Sequence, residues 1–259
     1  MLTFPVRRTQ HNLKPLFAKR QKLVNQIPEF WPNVFLNGPE DVQQFFSPAD
    51  LAILASIKSF SVDRYQVTSE TEGEPRSLRF TFDFGKNDHF EDKKLVKDFE
   101  YKSSPGGPGS LVSKPVTIKW RGKKKDVTNG LLDAACELYA AEEAIKLKNA
   151  DGELEVVDRE ALWQHEKLRE KLAAFDEQPE LQPSFLNWFG YRGPVGPPSH
   201  SARNANEEGV DEEEDEDDLD TGMLEVEVFP AGEEVAISLA EDLWSDAMDY
   251  FSKGVAVNS

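Results

Sequence analysis

The chain has 259 residues, of which 48 are acidic and 30 basic, so its formal net charge is −18, and it contains one cysteine. A single cysteine excludes a disulfide framework and the usual four-thiolate zinc sites, and no run approaches the ~20 apolar residues that span a bilayer. Because residues 1–8 also lack the apolar core of a signal peptide, we expect a soluble, intracellular protein with no membrane contact.

The first predicted element is an amphipathic helix at the N-terminus. Apolar residues recur there every seven positions, with lysines and arginines between them. A residue that precedes a proline avoids the α conformation, so Pro28 places the helix end near Ile27, and Pro15 indicates either a start or a kink. The helix is expected either to pack on its own domain or to form a coiled-coil-like dimer seam. The candidate seam residues are Leu13, Leu16, Phe17, Leu23, Val24 and Ile27.

Residues 29–58 are predicted to form short helices, after which the periodicity becomes that of strands. Residues 78–84 (Leu-Arg-Phe-Thr-Phe-Asp-Phe) alternate strictly between apolar and polar, which is typical of a half-buried antiparallel strand. Its predicted partner strands are Phe60–Val67, Leu95–Tyr101 and Val116–Trp120, with turns at 85–88 and 103–109. The predicted fold class is therefore α+β, a small antiparallel sheet covered by helices on one face.

The second half of the chain is predicted to be mainly helical. Its predicted elements are helices at 128–148 and 158–175, a short aromatic segment at 181–189, a linker at 193–206 and a final amphipathic helix at 233–251.

The negative charge is concentrated in one segment between that linker and the last helix. It supplies eleven of the carboxylates and no base, which leaves −7 on the other 245 residues. Such a run repels itself and buries no apolar surface, so we predict that it is disordered. Its field repels nucleic acid phosphates and attracts very basic proteins in a salt-dependent way. The carboxylates are Glu207, Glu208, Asp211, Glu212, Glu213, Glu214, Asp215, Glu216, Asp217, Asp218 and Asp220.

No group of residues predicts an active site. The four histidines lie far apart in the chain without partners at metal-ligand spacing. The glycines at 106–109 do not form a phosphate loop, because no Gly-Lys-Ser/Thr follows them. Cys136 falls within a predicted amphipathic helix and is expected to be a small core residue rather than a nucleophile. We therefore expect no enzyme activity, no metal and no cofactor.

Two further charged groups have ordinary interpretations. The acidic cluster at 83–92 does not have the spacing of an EF-hand loop and indicates a solvated hairpin turn. The basic segment at 119–125 (Lys-Trp-Arg-Gly-Lys-Lys-Lys) indicates either a nuclear localisation signal or a solvated strand end, and the sequence leaves both open.

Five segments resemble, in order, motifs of the nucleosome assembly protein family and of its SET-like branch. The aromatic strand at 80–84 is followed at 90–99 by Phe-x-Asp-x-x-Leu-x-Lys-x-Phe, similar to the family's strand–hairpin–strand. Residues 184–189 (Ser-Phe-Leu-Asn-Trp-Phe) resemble the Ser-Phe-Phe-x-Trp-Phe element of the SET-like branch. Residues 16–31 resemble the end of the family's backbone helix and the start of its globular domain. Residues 118–120 resemble the next strand, and residues 241–251 resemble the closing helix.

The resemblance implies a histone chaperone that is a homodimer, joined by an antiparallel pair of backbone helices, with an earmuff-shaped α+β domain on each protomer. The implied organisation is a shortened backbone helix at 1–28, an earmuff domain at 29–192 with a helical insertion at about 126–180, a linker and acidic segment at 193–231, and a C-terminal helix at 232–259 that packs back on the domain.

The implied partners are basic core histones, the H3–H4 pair first and the other core-histone dimer second, with no specific nucleic acid and a location in the nucleus. The histone-binding residues would be the acidic run together with Glu233, Glu234, Glu241, Asp242 and Asp246 of the last helix. The alternative is a regulatory adaptor that docks a histone acetyltransferase, another chromatin enzyme or a phosphatase, with histone contact secondary. The helical insertion favours this alternative.

The chain departs from the family pattern in three places. A helix that ends at Ile27 is at most ~40 Å long, shorter than the family's backbone helix. The insertion at 126–180 resembles nothing recognised in the family. The acidic run precedes the last helix, whereas SET-like proteins carry it at the C-terminus, so we expect a loop that stays near the underside of its own domain.

Overall fold

The computed structural model describes residues 3–104, 107–149, 152, 154, 156–178, 182–193 and 226–257, so the acidic run and most of the linker lie outside the described residues. None of the described helices combines the length and the apolar character needed to cross a bilayer. The helices are α1 (Thr3–Val24), α2 (Phe30–Leu36), α3 (Glu40–Gln43), α4 (Leu51–Leu54), α5 (Leu131–Lys146), α6 (Val156–Glu160), α7 (Trp163–Asp176), α8 (Gly232–Ser238) and α9 (Ala247–Val257). The strands are β1 (Ile57–Asp63), β2 (Leu78–Phe84), β3 (Lys94–Ser104) and β4 (Gly107–Ser113).

Helix α1 runs through Pro15 without starting there, and it ends at Val24 rather than near Ile27. Its 22 residues give a length of about 33 Å. Contacts on both sides of the proline hold the helix in place: the Arg7 guanidinium donates to the Gly73 carbonyl at 2.6 Å, and the Gln21 amide donates to the Phe60 carbonyl at 3.0 Å. These tertiary contacts offset the backbone hydrogen bond that Pro15 removes.

The four strands form one antiparallel sheet in the order β1-β2-β3-β4, which confirms the predicted kind of sheet and the predicted bounds of β2. Strand β1 begins and ends earlier than the strand predicted at Phe60–Val67. The fourth strand differs from the prediction, because β4 begins inside the segment predicted as a turn (103–109) and continues to Ser113. A glycine-rich strand is tolerated at a sheet edge, and a Cβ on Gly109 would lie 2.2 Å from the Lys102 carbonyl oxygen. The predicted strand at 116–120 instead pairs elsewhere, since Val116 donates its N–H to Phe189 at 2.9 Å.

The core lies on one face of this sheet and is unusually aromatic. Trp188, from a 3-10 turn at Phe185–Gly190, is fully buried, with its ring 5.2 Å from that of Phe80. Trp31 of α2 stacks on Trp244 with 5.6 Å between ring centroids and an interplanar angle of 8°. Each such pair contributes roughly 0.5–1.5 kcal/mol beyond the burial of its apolar area. The contacts bring the two ends of the chain together over the sheet.

The segment predicted as one final helix is interrupted. Between α8 and α9 lies a π turn at Leu239–Leu243, in which Trp244 donates its N–H to the Leu239 carbonyl, five residues earlier, at 3.0 Å. The wider turn allows Leu239, Leu243 and Trp244 all to face the core, where each is nearly or fully buried. A regular helix would place this set of residues less favourably.

The insertion forms a satellite of the main core. Helices α5 and α7 pack as an antiparallel pair, with Lys167 of α7 forming an ion pair with Glu137 of α5. The predicted helix at 158–175 is divided into α6 and α7, because Leu162 adopts an extended conformation between them.

Candidate functional site

The two ends of the segment that contains the acidic run meet at one point of the domain. The Glu227 carboxylate accepts hydrogen bonds from the backbone N–H groups of Arg192 at 3.0 Å and Gly193 at 3.4 Å. Its other oxygen accepts from the Phe229 N–H at 3.1 Å. Burial raises the pKa of Glu227, although the backbone donors oppose this effect. The described residues that flank the segment 194–225 therefore lie together, at a place that we call the loop base (Arg192, Gly193 and Glu227).

A buried lysine supports the loop base from inside the core. Lys97 points inward from β3 between Leu95 and Phe99, and it is fully buried. Its ammonium group donates to the carbonyl oxygens of Lys114 at 2.8 Å, Phe189 at 3.0 Å and Tyr191 at 2.6 Å. Desolvation lowers the pKa of Lys97 to about 7, while the nearby charge of Glu227 acts in the opposite direction.

Sequence reasoning did not assign a role to Lys97. It lies in the Leu-x-Lys-x-Phe motif and on the apolar side of a strictly alternating strand. A lysine on the apolar side of a strand was the feature of the sequence that could have indicated this role, because a buried ammonium group needs polar partners from elsewhere in the chain. The identity of those partners depended on the tertiary structure.

The insertion is fastened to the same loop base. Glu142 of α5 has no solvent exposure and is bound by two arginines, Arg159 through Nε at 2.7 Å and Arg192 through Nη2. Burial by itself would raise the pKa of Glu142, but the two guanidinium groups outweigh it and hold the pKa below its ordinary value. Breaking a buried pair of this kind costs roughly 3–5 kcal/mol. The loop base and the insertion are thus held as one assembly.

The predicted carboxylates of the last helical segment do not form one group. Asp242 and Asp246 are exposed and lie on one side, together with Asp249, which sequence reasoning did not include. Burial first, and then the charges of these three carboxylates, raise the pKa of Tyr250. We call Asp242, Asp246 and Asp249 the carboxylate row. These three residues are four and three positions apart, a spacing that places side chains on one side of a helix and that could have been recognised in the sequence.

The other three predicted carboxylates have different surroundings. Glu233 is half-buried and accepts the Leu111 N–H at 3.0 Å, and burial raises its pKa, so it serves to cover the edge of β4. Glu241 is paired with Arg64 at the end of β1, and Glu234 is exposed. The structure therefore separates Glu233 from the exposed acidic surface.

The candidate dimer residues lie on two sides of α1. Val24 is buried in the core of its own domain, and the Phe17 ring lies 5.6 Å from that of Trp244, so both residues pack on their own domain. Ile27 also packs against the core, and Leu13 lines a cleft of about 310 Å³ beside β1. Only Leu16 and Leu23 of the six are strongly exposed, at 56% and 66%.

Among the described residues, no group of three or more histidine, cysteine or acidic side chains is arranged to hold a metal ion. In the cluster at 83–92, Asp83 pairs with Lys94 and Asp92 accepts the Lys119 N–H at 2.7 Å. Burial raises the pKa of Cys136 to about 11, so its thiol remains protonated near neutral pH.

Known proteins resemble this chain in sequence and in fold. A family model described as nucleosome assembly protein (NAP) matches residues 7–254. A putative nucleosome assembly protein of Schizosaccharomyces pombe is 22% identical over 244 residues, which cover 93% of this chain and 69% of that protein. Protein SET of Drosophila melanogaster is 29% identical over 113 residues, which cover 43% of this chain but only 39% of that protein.

The fold has counterparts among solved structures. The crystal structure of the Vps75 histone chaperone superposes with a TM-score of 0.53 and 18% sequence identity, covering 96% of this chain and 88% of that chain. This likeness concerns the fold, and it confirms the predicted α+β class with an N-terminal helix and a small antiparallel sheet.

Proposed function

Because the chain belongs to the nucleosome assembly protein family, we propose that it is a histone chaperone, which binds basic core histones and shields them from DNA during nucleosome assembly. In this proposal the H3–H4 pair is the first client and the other core-histone dimer the second, and the protein works in the nucleus. The observation that carries it is the loop base, which ties a segment with eleven carboxylates to the domain at both ends.

The loop base also limits where those carboxylates can act. No carboxylate of the run is more than 15 residues from Gly193 or Val226 along the chain. A fully extended chain of that length spans about 50 Å, so every carboxylate stays within that distance of the domain. A histone bound by the run is therefore also held near the folded surface, where the carboxylate row offers further negative charge.

Charge alone is sufficient for this task. A chaperone has to neutralise the basic histone reversibly, so that DNA can take it over, and many weak contacts achieve this without a shaped pocket. Exposed charges act over ~8 Å at physiological salt and are screened at higher salt. The proposed activity is accordingly binding and delivery, with no chemical step.

Replacing the eleven carboxylates by their amides tests this function while preserving the length of the segment. We expect histone H3–H4 affinity to fall by about tenfold or more at ~0.15 M salt, measured by fluorescence titration. A control replaces three exposed acidic residues at and just after the end of α7 (Glu170, Asp176 and Glu177) by amides and should bind as the natural chain does. An unchanged dissociation constant in the first variant would refute the proposal.

We also propose that two copies associate through α1. Leu16 and Leu23 are seven residues apart, strongly exposed and on the side of the helix that faces away from the domain. This spacing suits a helix pair. The short helix and the packing of Phe17 and Val24 on their own domain restrict the seam to a small area, so the dimer should dissociate more readily than one built on a long helix.

The adaptor function remains a second candidate because of the surface of the insertion. Leu147, Val157 and Trp163 are 88%, 72% and 64% exposed and lie at the same end of the α5–α7 pair. A groove of about 710 Å³ separates α5 from the outer face of the sheet. An adaptor should retain a stoichiometric non-histone partner in high salt, whereas a chaperone should lose most of its histone there.

A further inference from the structure

A group of basic side chains is concentrated at one end of the sheet. We call Lys86, Lys119, Arg121, Lys123, Lys124 and Lys125 the cationic patch, and all six are exposed. Hydrogen bonds join the segments that carry them: the Arg121 N–H donates to the His89 carbonyl at 2.7 Å, and the Arg121 guanidinium donates to the Asn87 carbonyl at 3.2 Å. The patch is therefore one surface built from two separate parts of the chain.

The patch is presented on a folded turn. Lys123–Lys125 form a 3-10 turn that begins after Gly122, whose φ of 139° favours glycine. The Lys125 carbonyl lies 3.1 Å from His89 Nδ1, and Asp126 accepts the N–H groups of Thr128 and Gly130 at 2.8 Å. These bonds hold the three lysines in a compact conformation.

Although the protein carries excess acid, the cations of the patch form no ion pair with the residues that the structure describes. Elsewhere in the described part of the chain, most arginines and about a third of the lysines form ion pairs, such as Arg79 with Asp98 and Lys102 with Glu100. Within that same part, no carboxylate forms an ion pair with any member of the patch. The patch is bordered by Asp88, Glu91 and Asp92. The Asp92 carboxylate accepts a hydrogen bond from the backbone N–H of Lys119.

The patch is also separated from the loop base. It lies at the end of the sheet where Ile57 pairs with Phe84, whereas the loop base lies beside Ser113, which belongs to the opposite end. The seven residues of β2 place these ends about 20 Å apart. That distance is about two and a half times the ~8 Å screening length at physiological salt. The charge of Glu227 at the loop base therefore does not cancel the field of the patch.

We propose that the cationic patch binds the phosphate backbone of duplex DNA without sequence specificity. Duplex DNA carries one negative charge per ~1.7 Å of axis, which makes it a polyanion dense enough to engage several of these cations at once. The purpose of this contact depends on the proposed function, since it would hold DNA near a histone that the opposite end of the domain releases. The contact itself depends only on the patch.

The test uses the full-length chain and a labelled duplex of about 20 base pairs, titrated at salt concentrations from ~0.05 to ~0.2 M. The triple variant K123Q/K124Q/K125Q should bind about tenfold or more weakly at the lowest salt. The slope of log K against log salt should fall by about 2 to 3, because three phosphate contacts are lost. The matched control K102Q/K146Q/K167Q removes the same charge elsewhere and should keep both values. Thermal unfolding checks that both variants are folded.

Several results would overturn the inference: no DNA binding by the natural chain at the lowest salt, an equal loss in the control variant, or tighter binding of poly-glutamate than of DNA to the patch. Normal DNA binding by the triple variant would also overturn the inference. If that variant in addition no longer binds a nuclear import receptor, the segment is a nuclear localisation signal instead. Histone affinity is measured in parallel. If the natural chain binds histones but not DNA, the result counts against the proposal for the patch alone. If it binds DNA but not histones, the result counts against the proposed function alone.

Discussion

Glu227 accepts a hydrogen bond from the backbone N–H of Arg192 at 3.0 Å, although 35 positions separate the two residues in the sequence. The acidic run lies between them. This one carboxylate thus closes the segment into a loop, and the guanidinium of Arg192 connects the closure to Glu142 and the insertion. A single point of the domain holds the acidic run, the sheet and the added helices together.

Replacing Glu227 by alanine should open the loop base. Three backbone N–H groups would lose their acceptor in a largely buried place, which lowers the free energy of unfolding by about 2 kcal/mol or more. Amide hydrogen exchange should accelerate at Arg192, Gly193 and Phe229. The exposed Glu234 provides the control, since E234A should leave both measurements unchanged. Equal protection in the two variants would contradict the role of Glu227.

Stability should depend on pH through Lys97. Because its pKa falls from an ordinary value of 10.5 to about 7 on folding, the unfolded chain binds more protons between these limits. The free energy of unfolding should therefore rise with pH above about 7, by at most ~1.4 kcal/mol per pH unit from this group. In K97M this contribution should disappear. Chemical unfolding of both chains from pH 6 to 9 measures it, and parallel profiles would argue against a lowered pKa.

The carboxylate row should contribute to histone binding. The variant D242N/D246N/D249N removes three exposed charges from one surface, and we expect histone affinity to fall about fivefold at low salt, with little change at high salt. The α7 amide variant again serves as the control. A variant that binds normally at low salt would exclude the row from the histone contact.

Disruption of the exposed side of α1 should yield monomers. The double variant L16E/L23E places two like charges on each copy at the proposed seam, so light scattering should report a dimer for the natural chain and a monomer for the variant. The control L36E/L51E changes two leucines that are exposed on other helices, at 45% and 46%, and should remain dimeric. A natural chain that is monomeric at micromolar concentration would contradict the proposed association.

Local patterns predicted much of the architecture. The strict alternation at 78–84 located β2 with its full bounds, because the two faces of a strand have different surroundings and the sequence records them. The same approach failed at 107–109, where glycine and proline indicated the end of a turn but the residues begin the edge strand β4. It also predicted one helix at 233–251, since periodicity does not reveal a π turn.

The amino-acid order by itself determined the α+β class, the resemblance to the nucleosome assembly protein family and the presence of a dense anionic run, because periodicity and charge are properties of neighbouring residues. Only the tertiary structure decided that Lys97 supports the loop base, that Glu227 closes the acidic segment and that Glu142 fastens the insertion. Those relationships join groups many tens of residues apart, and buried charges choose their partners according to the whole fold that desolvates them.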